Sequence, residues 1–73
     1  MTEQVYKLVE VTGSSKHGYQ QAIENAINRA SKTVRHLRWF QVVETRGYIE
    51  EDKVAYWQVS LKIGFSLDNP DQE

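Results

Sequence analysis

The chain has 73 residues with 9 basic and 10 acidic side chains, a formal net charge of -1, and no cysteine. A length of this order makes one domain, and a domain so short buries only about 60% of its unfolded surface. Disulfides and thiolate metal sites are excluded, His17 and His36 stand too far apart for zinc spacing, and the balanced charge is no footprint for nucleic acid or an anionic membrane. Self-association is therefore the expected source of extra stability.

Gln4 to Val11 is rich in β-branched residues and reads as a first strand, with Val5, Val9 and Val11 on one face and Tyr6 and Leu8 on the other. The N-terminus, Met1 to Glu10, begins polar and carries no long apolar run, so no signal peptide is expected; the 40% hydrophobic content is too dispersed for a membrane span, and with no cysteine and no export signal the default compartment is cytoplasmic. Thr12 to Gly18 reads as a turn into a helix, with Ser14 or Ser15 as N-cap. The helix is expected to run to about Thr33. Tyr19, Ala22, Ile23, Ala26, Ile27 and Ala30 form its apolar stripe, and the alanines allow close approach to a sheet.

Leu37 to about Ile49 reads as a second strand, with a bend expected at Gly47. Strict alternation would place Trp39, Gln41, Val43 and Thr45 on one face and Phe40 and Val42 beneath the helix. Glu50 to Lys53 is a hairpin turn. Val54 to Leu67 is the most regular strand: Ala55, Trp57, Val59, Leu61, Ile63, Phe65 and Leu67 should meet the helix, and Tyr56, Gln58, Ser60, Lys62 and Ser66 should face away. The acidic tail, Asp68 to Glu73, is expected to fray, within a single domain spanning 1–73. The predicted class is α+β, in the order β-α-β-β, with one helix covering one face of a three-stranded antiparallel sheet.

An uncovered sheet face bearing aromatic side chains is a candidate binding or subunit interface. Trp39 is a flat platform for a planar ligand, although on pattern alone a packing role is the commoner fate of a tryptophan. The amide of Gln58 both donates and accepts, which suits a heteroaromatic edge with adjacent N–H and C=O groups; a solvent-facing residue of an alternating strand is the plainer reading. Lys32, Arg35, His36 and Arg38 form a basic run after the helix, which fits solvated cations near the negative end of the helix dipole. Its functional reading is phosphate binding or, with Trp39 stacking on a base, single-stranded nucleic-acid binding, and the net charge argues against the nucleic-acid version. No nucleophile–base constellation, P-loop or metal cluster stands out, so no catalytic residue is assigned.

Taken together, VYKLVEVTGSS, RHLRWFQVVETRG and YWQVSLKIGFSLD resemble the dodecins over nearly the whole chain. The ordered set is specific: Trp39-Phe40-x-Val42, Arg46-Gly47 six residues after that phenylalanine, and a last strand with Gln58-Val59, Lys62 and Gly64-Phe65. The resemblance implies a β-α-β-β subunit in a hollow homododecamer of cubic 23 symmetry. It implies paired flavins at subunit interfaces, stacked between symmetry-related tryptophans matching Trp39. It implies that Gln58 meets the pyrimidine edge and that Arg46 holds the phosphate end. The implied ligand is FMN or riboflavin, and the implied function is flavin storage and quenching without catalysis. A flavin-dependent oxidoreductase subunit is the alternative, and a nucleic-acid module a more distant one. Ser66 stands where many bacterial members carry an arginine, which leaves the choice between FMN and riboflavin, and any coenzyme A binding, open.

Overall fold

The computed structural model describes residues 3–67; the expected frayed tail, Asp68 to Glu73, lies outside them. Four elements follow in the order β1 (Tyr6–Ser15), α1 (Tyr19–Ala30), β2 (Leu37–Glu50) and β3 (Lys53–Ser66). The strands form one antiparallel sheet in the order β1-β3-β2. The β-α-β-β layout is the expected one.

β3 is central and carries the core. Val59, Leu61 and Ile63, at alternate positions, are almost fully buried beneath Ala22, Ala26 and Ala30 of the helix. Val9, Val11, Ile23, Ile27 and Leu37 pack around them. The alanine stripe works as the sequence implied, and it has a partner that the sequence reading assigned to a turn. A Cβ placed on Gly13 would run into the carbonyl oxygen of Ala22 and come within 2.8 Å of the Ala26 Cβ. Gly13 is thus a contact point between strand and helix, and β1 continues through Ser15 instead of turning after Val11.

This extension also corrects the helix start. Neither Ser14 nor Ser15 is the N-cap: the cap position is Gly18, at φ 146°, with no side-chain cap bond. That positive φ favours glycine. The Ser15 hydroxyl instead accepts from the His17 backbone N–H at 2.9 Å, and Asn25 Nδ2 reaches back to the Ser14 carbonyl at 3.0 Å. The regular helix ends at Ala30, short of Thr33. Beyond it the Lys32 and Thr33 N–H groups bond carbonyls three residues back, which tightens the last turn.

β2 and β3 are joined by Glu51 and Asp52, both with positive φ (52° and 66°), which is the signature of a tight two-residue hairpin turn of matching twist. Gly47 does not bend β2; it lies in register opposite Trp57. The irregularities fall at Arg38, at Val43 and between Tyr48 and Ile49. The helix rests on β1 and β3 and scarcely reaches β2. The hairpin runs past the last β1 partner, Trp57, and gives the chain extents of 56 × 20 × 14 Å. Its radius of gyration is 15.3 Å, whereas a compact chain of this length has roughly 11 Å.

Candidate functional site

The open face of the sheet is set by which residues pair across the strands, because directly opposed residues share a face. On β1 and β3 it carries Tyr6, Leu8, Glu10, Thr12 and Ser14 against Ser66, Gly64, Lys62, Ser60 and Gln58. β2 joins this face through Trp39 opposite Gly64, Gln41 opposite Lys62, Glu44 opposite Ser60, Arg46 opposite Gln58 and Tyr48 opposite Tyr56.

Strict alternation along β2 put Val43 and Thr45 beside Trp39, and the structure corrects the placement of Thr45. Val42 pairs with Leu61 and Glu44 with Ser60, so Val43 is an extra residue in a β-bulge. A bulge shifts the alternation by one. Thr45 therefore turns toward the helix side, opposite Val59, while Glu44 and Arg46 join Trp39 on the open face. Phe40 and Val42 do point to the helix side, opposite Ile63 and Leu61, but the helix does not cover them; they are 45% and 42% exposed.

Trp39 lies flat on the sheet. Its indole occupies the space above Gly64 that a side chain would fill, with Cδ2 2.8 Å from an ideal Cβ there. Gly64 is the floor of the platform. The Tyr6 ring meets Trp39 edge-on, with centroids 6.3 Å apart. Trp39 stays 42% exposed. A second bulge residue, Arg38, stands next to it and donates from Nε to the Ser66 hydroxyl at 2.9 Å. Sequence reasoning had grouped Arg38 with the solvated cations after the helix.

The other end of the face holds Gln58 and Arg46. Arg46 Nη2 pairs with the Glu44 carboxylate at 3.2 Å, and Nη1 reaches the Gln58 side-chain oxygen at 3.5 Å. Tyr48 and Tyr56 meet edge-on beyond them. Gln58 and Arg46 are thus brought together, and Trp39 is not with them. Gly64 and Gln58 are six residues apart on β3, which at about 3.3 Å per residue is roughly 20 Å. That exceeds the length of any single tricyclic ring system. Among the described residues no group of three His, Cys, Asp or Glu is placed to hold a metal ion, and no helix is long and apolar enough to cross a membrane.

The dodecin family model matches residues 5–68. A dodecin of Thermus thermophilus is 52% identical over 64 residues, covering 88% of this chain and 93% of that protein. The solved dodecin of Streptomyces davaonensis superposes with a TM-score of 0.90 at 46% identity, covering 93% of this chain and all of that one. A more distant relative, the calcium dodecin of Mycobacterium tuberculosis, superposes with a TM-score of 0.76 at 27% identity, covering 94% of this chain and 97% of that one. The fold, the ordered motifs and these matches agree: the chain belongs to the dodecin family.

Proposed function

We propose that this chain binds flavin, FMN or riboflavin, in a homododecamer that stores and quenches the ligand and performs no catalysis with it. The observation that carries the reading is the Trp39 indole, which lies over Gly64 and stays 42% exposed. Such a surface stacks a planar heteroaromatic ring, and an electron-rich indole in van der Waals contact quenches an excited flavin.

The roughly 20 Å between the Trp39 and Gln58 positions makes the site a shared one. Two open faces set antiparallel bring Trp39 of one subunit toward Gln58 and Arg46 of another. Stacking then comes from one chain. The Gln58 amide, with a donor and an acceptor, meets the pyrimidine edge from the other. Arg46 contacts the ribityl or phosphate end.

The subunit itself argues for a partner. It exposes 5805 Å² for 8.5 kDa, whereas a folded monomer of that mass exposes about 4,700 Å². The test is titration of FMN and of riboflavin with the purified assembly. Saturable quenching of flavin fluorescence without turnover of reduced nicotinamide supports the reading; unquenched flavin at saturating protein overturns it, and nicotinamide turnover transfers the case to the oxidoreductase alternative.

A further inference from the structure

We infer that Arg38 is an anion-binding residue at the rim of the Trp39 platform, and that it selects flavins carrying a phosphate over neutral ones. The inference rests on the flavin reading above and adds a specificity determinant to it.

The local geometry is specific. Arg38 is the extra residue where Leu37 opposes Phe65 and Trp39 opposes Gly64. A bulge re-aims side chains, and here it brings two consecutive residues to the same face. Trp39 covers Gly64, and Arg38 reaches Ser66, two positions along β3 on that face. Ser66 is buried, and Arg38 Nε is its hydroxyl's partner at 2.9 Å. One edge of the guanidinium is therefore anchored. Among the described residues the two Nη groups have no acceptor and Arg38 has no ion pair.

Contrast Arg46, whose two Nη groups already engage Glu44 and Gln58. A guanidinium with a fixed Nε and free Nη donors presents a planar fork, which matches the two oxygens of a phosphomonoester. Lys62 lies on the same face, two residues from Gly64, with Glu10 across from it. Arg38 adjoins the indole-bearing Trp39 in sequence, and among the described residues it has no ion pair. A ring stacked on Trp39 keeps its side-chain phosphate within reach of this fork, whereas riboflavin offers only hydroxyls there.

The experiment is a matched pair of fluorescence-quenching titrations, FMN and riboflavin, on the wild-type assembly, Arg38→Gln, Arg38→Lys and Ser66→Ala, with native mass checked for each. The expected result is a loss of FMN affinity in Arg38→Gln of roughly tenfold or more, as suits a charge-assisted bond. Riboflavin should change by less than about threefold, well within the range of a surface substitution. Arg38→Lys should recover part of the FMN preference through charge alone. Ser66→Ala should lose part of it, because the fork is no longer anchored. Equal losses for both ligands, or none for either, overturn the assignment while leaving the flavin reading intact. Failure of the wild-type protein to quench either flavin overturns both. If Arg38→Gln does not assemble, the Ser66→Ala and Arg38→Lys ratios decide, and a ratio equal to wild type in both overturns the assignment.

Discussion

β2 and β3 are strands of equal length, paired along nearly their whole extent, and both rich in apolar residues, yet they have opposite fates. β3 lies between two neighbours and beneath a helix, and buries Val59, Leu61 and Ile63. β2 lies at the sheet edge beyond the helix; every residue of it but Leu37 is exposed, including Trp39, Phe40, Val42, Val43, Tyr48 and Ile49. An edge strand with that much apolar surface is a liability in a monomer. The difference teaches where the chain is finished by its own packing and where it is not. One strand completes the core of the chain, and the other presents apolar surface on both faces.

The comparison is tested most severely at a cross-strand pair. Leu61 and Val42 face each other across β3 and β2, yet Leu61 is fully buried and Val42 is 42% exposed. Leu61→Ala should destabilise the fold by about 2–5 kcal/mol, the range for truncating a buried leucine. Chemical denaturation reads this directly, and a loss below about 1 kcal/mol would mean that β3 is not the core. Phe40→Ser should act differently. Removing a phenylalanine from an interface forfeits about 1.5–3 kcal/mol per subunit, and it should shift sedimentation toward smaller species while circular dichroism keeps the subunit's secondary structure. An unchanged sedimentation profile at low protein concentration would show that this surface is not an interface.

Smaller effects separate the two ends of the open face. Trp39→Ala should weaken flavin binding roughly tenfold or more, since a stacked contact adds about 0.5–1.5 kcal/mol to the area it buries. The flavin that still binds should regain fluorescence, and Trp39→Phe should retain more affinity. Intact affinity and quenching in an assembled Trp39→Ala oligomer would reduce Trp39 to packing. Arg46→Ala should weaken FMN more than riboflavin, by a few-fold, because Glu44 and Gln58 already occupy part of its guanidinium. Parallel loss of both ligands in titration would make Arg46 a residue that orients Gln58.

Most of the fold was legible because β3 alternates without interruption and the α1 stripe is regular. The buried set Ala22, Ala26, Ala30, Val59, Leu61 and Ile63 can be read from period alone. Two features could not. Gly13 looks like turn chemistry in Thr12-Gly13-Ser14-Ser15, and only the close helix turns it into a strand residue. The bulges at Arg38 and Val43 leave no mark in hydrophobicity, so alternation counted from Trp39 misplaced Thr45. Of the candidate site, Trp39, Gln58 and Arg46 were found by type and by resemblance. Their sharing of one face depends on the bulge, and their separation along it emerges only from the register. Arg38 was visible as a cation, but nothing in the sequence marks its bond to Ser66.

The central claim is that the open face and the exposed edge strand are finished by other copies of the chain, with flavin held between them. Native mass spectrometry of the purified protein with FMN tests it most directly. The expected spectrum is a twelve-subunit assembly that retains flavin, losing it before or together with its subunits as collision energy rises. A monomer or dimer as the dominant species with FMN supplied, or a dodecamer that carries no flavin at saturating ligand, would contradict the account.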